Sequence, residues 1–247
     1  MNDAPREDIV FGRSAVLELL RSEHPVESIF VQRDPEGMLL KISAMARDMG
    51  IPVKQVNRQK LDFMCAQGAH QGVIARTAGH AYAELEDIYA RAGDDPLFVV
   101  LCDGIEDPRN LGAIIRCAEA AGAHGLIIPK RRSVGLTGTV AKAAAGALSH
   151  LPVVRVTNLA AAIDELKRRG VWFYAADMGG KTWHETDFSG SVGLVIGSEG
   201  SGVSRLVREK CDFAVSLPMR GKISSLNASV AAGIILYEIV RQKTAGV

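Results

Sequence analysis

Two hydrophobic patterns alternate along the whole chain. Short apolar runs rich in β-branched residues predict strands, and longer stretches with apolar residues every three or four positions predict helices. This alternation indicates an α/β fold with parallel sheets covered by helices. The amino-terminal part predicts a small domain, with helices over 13–22, 36–49 and 59–66 and strands over 28–32, 51–56 and 72–76.

The carboxyl-terminal part predicts one doubly wound sheet of six strands, at 97–102, 125–129, 153–156, 171–176, 193–197 and 213–218. Helices are predicted after the sequence DPRN and over 138–148, 158–170, 203–211 and 226–242. The stretch 78–95 is acidic, lacks a strand pattern and ends in a turn signal, which is typical of a linker. The predicted domains are therefore 1–77 and 96–247.

Composition narrows the class of protein. Of the 247 residues, 47% are hydrophobic and 23% charged, which excludes a disordered or fibrous chain. The four cysteines form no CxxC pair and have no nearby histidine spacing, so we expect reduced thiols, no metal site and a cytoplasmic protein. The longest uncharged run, Ile223 to Tyr237, has 15 residues, too few for a membrane span.

The net charge of +1 hides an uneven distribution. Residues 1–76 hold 10 basic and 10 acidic side chains, residues 77–95 hold one and five, and residues 96–247 hold 18 and 13. The basic excess of the last part permits a polyanionic partner such as RNA without requiring one.

Three polar or glycine-rich segments follow predicted strand ends, where ligands collect in such sheets. In the first, DGIEDPRNLGAIIR, Asp107 predicts a helix cap with Pro108 behind it. Arg116 lies on a helical stripe with the small residues Gly112 and Ala120, which leaves room for a close partner. A surface pair between Arg116 and Glu119 is the structural alternative.

The second segment, GLVIGSEGSGVS, places glycines at a strand end, where backbone amides can approach a ligand. It matches neither GxGxxG nor a P-loop. Glu199 can cap the next helix, or it can hydrogen-bond a ribose hydroxyl, a nucleobase edge or a partner's arginine. In the third segment, SLPMRGKISSLNASVAAG, Ser224 or Ser225 can cap the last helix, whereas Asn227 within that helix indicates a role for its amide. The small residues 228 and 231–233 favour close packing, for example against a second subunit.

These segments resemble, in order and spacing, the three signature motifs of the SpoU (TrmH-like) RNA ribose 2′-O-methyltransferases. The motifs are DPRNLGAIIR, IGSEGSGV and LPMRGKISSLNASVA. The first part, with GRSAVLELL and HQGVIA, is similar to the family's amino-terminal substrate-binding domain, an α/β fold like ribosomal protein L30e. With PKRRS at 129–133, the resemblance is greatest to the bacterial members that methylate a guanosine ribose in the peptidyl-transferase region of 23S rRNA.

The resemblance implies a homodimer whose carboxyl-terminal domain is a trefoil-knotted (SPOUT) parallel-sheet methyltransferase fold, although knots are otherwise almost absent from proteins. It implies S-adenosylmethionine as cofactor, held by Gly197, Leu217 and Leu226. Asn110 and Asn227 would orient groups around the acceptor, Glu199 would hold a guanidinium and Ser225 would shape the loop. We expect no membrane contact.

Arg116 would contact the 2′-oxygen or a neighbouring phosphate. Because a guanidinium keeps its proton, we expect it to clamp phosphate and stabilise negative charge rather than act as a base. Candidate RNA contacts are Arg13, Lys130, Arg131, Arg132, Arg220 and Lys222. A methyltransferase acting on tRNA or another rRNA nucleotide, and a non-catalytic rRNA-binding protein of the same fold, remain alternatives.

Overall fold

The computed structural model describes residues 9–21, 26–65, 68–77 and 81–245. The chain divides into two compact units: the described residues up to Ala81 with Gly135–Gly138, and Tyr82–Val134 with the chain from Thr139 onwards. The predicted helix ends at Ser22 and Ala66 and the predicted linker residues 78–80 lie outside the described residues, as do residues 1–8.

The first unit is built on a four-stranded sheet with the strand order β1-β4-β2-β3. Its elements are β1 (Ile9–Phe11), α1 (Arg13–Arg21), β2 (Val26–Gln32), α2 (Met38–Asp48), β3 (Val53–Val56), α3 (Arg58–Met64) and β4 (Val73–Thr77).

The expectation of purely parallel sheets is wrong for this unit, because β4 runs antiparallel to both β1 and β2. Helix α3 has only seven residues, about 10 Å of rise. The chain then re-enters the sheet beside the end of β2, where Val73 pairs with Val31. Strand β1, with three residues, is too short to show an alternating pattern.

The second unit confirms the six predicted strands, and all of them run parallel in the order β10-β8-β9-β5-β6-β7. The strands are β5 (Phe98–Asp103), β6 (Gly125–Pro129), β7 (Val153–Val156), β8 (Trp172–Thr182), β9 (Val192–Gly197) and β10 (Phe213–Ser216). The helices are α4 (Leu85–Ala92), α5 (Pro108–Ala120), α6 (Gly138–Ala144), α7 (Leu159–Lys167), α8 (Arg205–Lys210) and α9 (Ala228–Ala245).

Helix α4 lies within the stretch predicted as a linker, and the prediction differs from the structure there. Glu84 and Asp87 form a capping box in which the Glu84 amide donates to Asp87 at 2.8 Å. Ile88 is fully buried in the core of the second unit, among residues such as Val99 and Ile127. The acidic residues that indicated a linker thus start a packed helix.

Two other elements differ in length from the prediction. The alanine-rich helix ends at Ala144, because Ala145 and Gly146 adopt left-handed backbone angles (φ +49° and +91°). Strand β8 continues past the predicted end at residue 176 to Thr182. This extension carries Asp177 beyond the apolar part of the strand.

The parallel arrangement collects the polar loops at one edge of the second sheet. Strands β5 and β9 are neighbours, with Asp103 paired to Gly197 at their carboxyl ends. The loops after these two central strands therefore meet, as expected for the ligand-binding edge of a doubly wound sheet.

Candidate active site

Three polar side chains from separate parts of the chain meet at this edge. The Asn110 Nδ2 donates to Glu199 Oε1 at 2.9 Å, and the Asn227 Nδ2 donates to Glu199 Oε1 at 2.5 Å and to Asn110 Oδ1 at 2.9 Å. We call Asn110, Glu199 and Asn227 the amide–carboxylate cluster. It brings together one predicted site residue from each of the three motif segments.

Helix α5 places Asn110 in the cluster. Asp107 caps the helix, as predicted, by accepting a hydrogen bond from the Arg109 amide at 2.8 Å, and Pro108 takes the first helical position. Asn110 therefore lies in the first helical turn, next to the loop that leaves β5.

Asn227 caps helix α9 instead of lying inside it, so the predicted start at residue 226 and the predicted serine caps are wrong. Its Oδ1 accepts from the amides of Ser229 at 3.0 Å and Val230 at 3.3 Å and from the Ser229 hydroxyl at 2.6 Å. These donors fix which end of the amide is oxygen. The Nδ2 group must consequently face Asn110 and Glu199.

Beside the cluster lies a cavity of about 370 Å³, within the size range of small-molecule sites. Gly197, Leu217, Leu226 and Ser225, all predicted from the motifs, are among its lining residues. A Cβ at Gly197 would lie 2.0 Å from the backbone carbon of Gly202. Only glycine at this position lets the loop after β9 fold back against the strand end.

The loop between β10 and α9 leaves its backbone open. Across 217–226, all of them described residues, no hydrogen bond to another group of the chain is formed. Backbone N–H and C=O groups that remain unpaired along a cavity can bind a ligand. Five of the residues that line the cavity belong to this loop: Leu217, Met219, Ser224, Ser225 and Leu226.

Sequence reasoning missed the contribution of β8 to the cavity. Asp177 and Met178 line it, and the Asp177 carboxylate accepts from the Arg208 Nε at 3.4 Å. Asp177 and Glu199 are the two charged residues among the lining side chains, and both are acidic. The available signal was an aspartate just after an apolar run, at the carboxyl end of a parallel strand.

Arg116 lies apart from the amide–carboxylate cluster of its own chain. It is an exposed residue of α5, about 9 Å further along the helix axis than Asn110. It does not line the cavity, and within the described part of the chain it pairs neither with Glu119 nor with any other acidic residue. The small-residue stripe is explained within the chain at Gly112, where a Cβ would meet the Ala143 Cβ at 2.4 Å.

Glu199 has a different partner from the helix cap that the sequence offered as one alternative. Among the described residues it binds the two asparagine amides and no guanidinium. Nor does it cap α8, since Ser204 occupies that position and donates its amide to the Asp103 carboxylate at 2.7 Å.

Cys102 precedes Asp103, and burial raises the pKa of the Cys102 thiol, so this cysteine stays protonated in the core.

The predicted RNA-contacting residues fall into three places. Lys130, Arg131 and Arg132 follow β6, in a loop fastened to the β5 exit by the Val134 amide, which donates to the Ile105 carbonyl at 3.0 Å. Arg220 and Lys222 are exposed in the loop before α9. Arg13 is exposed at the start of α1 in the first unit.

Comparison with known proteins gives two family matches that together span most of the chain. Residues 97–237 match the SpoU rRNA methylase family, and residues 9–83 match the family described as RNA 2′-O ribose methyltransferase substrate binding. YacO of Bacillus subtilis (strain 168), named for the TrmH family of tRNA/rRNA methyltransferases, is 47% identical over 243 residues, which cover 96% of this chain and 97% of YacO. A TrmH-family protein of Staphylococcus aureus (strain COL) is 45% identical over 241 residues, covering 96% of this chain and 97% of its own.

Solved structures of similar proteins agree with this family match. The SpoU methyltransferase AviRb from Streptomyces viridochromogenes, crystallised with S-adenosylmethionine, superposes with a TM-score of 0.62 and 28% identity, covering 96% of this chain and 91% of AviRb. An S-adenosylmethionine-bound rRNA methyltransferase from Sinorhizobium meliloti shares the fold, with a TM-score of 0.59 and 24% identity over 94% of this chain and 86% of its own.

A parallel sheet with a ligand cavity at its carboxyl edge, preceded by a smaller α/β unit, defines this molecule as an RNA methyltransferase of the SPOUT fold. The chain belongs to the SpoU (TrmH) family of tRNA/rRNA methyltransferases. S-adenosylmethionine is the cofactor of this family.

The cavity suits that cofactor. Apolar walls such as Ile196 and Val215 can cover an adenine, open backbone groups can bind its polar edge, and two carboxylates favour the positive sulfonium. Within the described residues no group of three or more His, Cys, Asp or Glu could hold a metal ion. Nor is any helix there long and apolar enough to cross a membrane.

Proposed function

We propose that this protein transfers a methyl group from S-adenosylmethionine to the ribose 2′-oxygen of a guanosine in the peptidyl-transferase region of 23S rRNA. The observation that carries the proposal is the amide–carboxylate cluster beside the cavity, because it joins all three motif segments at one point. The family description of the first unit as a 2′-O ribose methyltransferase substrate-binding domain supports the choice of acceptor.

In this proposal Gly197, Leu217 and Leu226 hold the cofactor through backbone groups and apolar contact, and Ser225 shapes the loop beside them. The resemblance also implies a knotted carboxyl-terminal unit, whose loops would surround the cofactor in this cavity. The L30e-like assignment of the first unit follows from the same resemblance, whereas the proposed cytoplasmic location follows from the four cysteines expected to be reduced thiols.

S-adenosylmethionine, when bound, would supply an electrophilic methyl group: its C–S bond would break as a C–O bond forms, S-adenosylhomocysteine would leave, and the proton of the 2′-hydroxyl would pass to solvent water. The chain has to hold the acceptor in line with that bond. Asn110 and Asn227 share Glu199, which fixes both amides relative to each other. Their fixed dipoles position the ribose without having to reorganise during the reaction.

We propose that the working form is a homodimer. Helix α9 exposes Val230, Ile234 and Tyr237, which are 49%, 37% and 54% exposed and lie on one helical face at i, i+4 and i+7. A second copy of this chain would cover this apolar stripe. Helix α5 packs against α9, so the same interface would bring Arg116 of each protomer towards its partner's cluster, where a guanidinium can clamp phosphate and stabilise the 2′-oxygen.

RNA capture is assigned to the exposed basic residues. Lys130, Arg131 and Arg132 after β6, with Arg220 and Lys222 before α9, flank the carboxyl edge of the second sheet. Together with Arg13 they give the RNA phosphates several cationic contacts, and binding should therefore weaken steeply as salt rises.

The test is to incubate the protein with methyl-labelled S-adenosylmethionine and, separately, 23S rRNA and tRNA transcripts. Mapping of alkali-resistant linkages then locates the modified nucleotide, since a methylated 2′-oxygen cannot attack the adjacent phosphate. One labelled guanosine in the peptidyl-transferase region supports the proposal. Label confined to tRNA or to another rRNA nucleotide overturns the target, and RNA binding with no transfer overturns the activity.

Arg116→Lys separates a bidentate clamp from a simple positive charge. We expect it to lose most of the transfer rate, and full activity with unchanged RNA affinity would contradict the clamp. Asn110→Ala should slow transfer while calorimetry shows unchanged cofactor affinity.

A further inference from the structure

Two tight turns of the first unit meet at Arg13. The turn from β1 into α1 presents Arg13, and the turn into β4 presents Gln71. The Arg13 amide donates to the Gln71 side-chain Oε1 at 3.0 Å, and the Arg13 Nε donates to the Gln71 backbone oxygen at 3.1 Å. One residue thus holds both the backbone and the side chain of the arginine.

Gln71 adopts a backbone conformation that side chains rarely take. Its φ is +50°, in the left-handed region that costs free energy for residues other than glycine. Such a conformation persists only where its surroundings impose it, and it is typical of functional turns.

His70, which is 5% exposed, imposes that conformation. Its Nδ1 accepts from the Gly72 amide at 2.9 Å, so its Nε2 carries the hydrogen and donates to the Asp62 carboxylate at 2.9 Å. Its backbone oxygen also accepts from the Val73 amide at 2.9 Å. The residues on either side of Gln71 are therefore tied to α3 and to the start of β4.

The arrangement leaves the far end of the guanidinium open. Arg13 and Gln71 are both exposed, and in the described part of the chain no group binds the two terminal nitrogens of Arg13. These nitrogens present a pair of donors that matches two oxygens of a phosphate. Because the side chain is already held, binding it to RNA costs less conformational entropy than binding a mobile surface arginine.

We propose that Gln71 positions Arg13 to bind a phosphodiester of the RNA substrate, and that the His70–Asp62 pair holds Gln71 in place. The proposal rests on the proposed function only in taking RNA as the ligand. Gln71 is a positioning residue here, since its own oxygens are occupied by Arg13.

The test measures the affinity for a transcript of the peptidyl-transferase region of 23S rRNA over a series of salt concentrations. Arg13→Ala should reduce the slope of log affinity against log salt by about 0.7 to 0.9, the loss of one phosphate contact. Gln71→Asn, whose amide is one methylene shorter and tolerates the left-handed backbone, should weaken binding by about 3- to 10-fold and lower the slope although it removes no charge. In the Arg13→Ala background it should have no further effect.

Gln59→Asn is the matched control, because Gln59 is an exposed glutamine of α3 in the same unit. Gln71→Gly, which relieves the backbone strain, should reproduce Gln71→Asn if the side-chain oxygen is responsible. An unchanged salt slope in both Gln71→Asn and Gln71→Gly would overturn the positioning role. So would a loss of RNA affinity that is equal with and without Arg13, because that result would indicate direct contact between Gln71 and RNA.

Failure of the two proposals is distinguishable. An Arg13-dependent salt slope in a protein that transfers no methyl group would preserve this inference and remove the enzymatic one. Methylation of the transcript, with no effect of the Arg13 or Gln71 substitutions on RNA affinity, would preserve the proposed enzymatic activity and remove this inference.

Discussion

Asn227 performs two tasks with two different atoms, and substitution can separate them. Its Oδ1 caps α9, whereas its Nδ2 joins Asn110 to Glu199. Asn227→Ala removes both functions. Asn227→Ser keeps an oxygen suited to the cap but has no amide nitrogen that can reach Asn110 and Glu199 together.

The two losses have different sizes. Removal of a side-chain cap costs about 1 kcal/mol of stability, which lowers the Tm of a unit of this size by about 2–4 °C. A hydrogen bond to a charged group contributes about 1.5–3 kcal/mol, and the lower end applies because Glu199 is exposed. If that bond orients the acceptor, its loss slows methyl transfer by about tenfold.

Thermal unfolding followed by circular dichroism gives the Tm, and single-turnover transfer of labelled methyl to RNA gives the rate. We expect Asn227→Ala to lose both stability and rate, and Asn227→Ser to lose only rate, while cofactor affinity stays unchanged in both. Asn227→Ser that unfolds as early as Asn227→Ala, or that keeps the full rate, would refute this separation of roles.

Three further substitutions follow from the packing and the charges. Gly197→Ala would place a Cβ 2.0 Å from the Gly202 backbone; we expect a cofactor affinity at least about tenfold lower by calorimetry, with Gly138→Ala, whose Cβ meets nothing within 4 Å, as the unaffected control. Gly112→Ala should cost about 1–3 kcal/mol in urea unfolding, and wild-type stability would contradict the close approach of α5 to α6. Hydrogen bonds from the Arg241 guanidinium lower the pKa of Glu238. The stability that the ionised Glu238 carboxylate gives the fold is therefore present above its unfolded-state pKa and is lost as pH falls through its lower folded-state pKa. Glu238→Gln should therefore narrow the difference in unfolding free energy between pH 7 and pH 3, and an unchanged difference would count against the pair.

The sequence predicted the second unit well because its strands are buried and apolar. All six strands appear, and the motif segments follow strand ends that the parallel arrangement places together. The cap at Asp107 was also predictable, since it is followed directly by proline at the first helical position.

What escaped prediction depends on register and on contacts between distant segments. The residues before α9 include several possible caps, and local sequence cannot choose between Ser224, Ser225 and Asn227. Only the position of Asn110 and Glu199 in space decides that Asn227 ends the loop. The same applies to Asp177, which reaches the cavity because β8 continues past its apolar part.

The positive φ of Gln71 and its hold on Arg13 depend likewise on a buried histidine that no local pattern reveals. In the first unit, strand direction was mispredicted because α3 is too short to carry the chain back across the sheet. Short elements carry too few residues for their pattern to indicate direction.

In this molecule the residues that are structural and the residues that are functional are often the same. Asn227 is a helix cap, and the hydrogen bonds that make it a cap also determine which way its amide faces the cluster. Gln71 forms a turn, and the turn that strains it also holds Arg13. In both places a side chain fixed by the fold presents a donor at low entropic cost, which is the condition for positioning RNA and cofactor. A structural explanation for a motif residue therefore does not argue against its having a function; here it explains how the function is achieved.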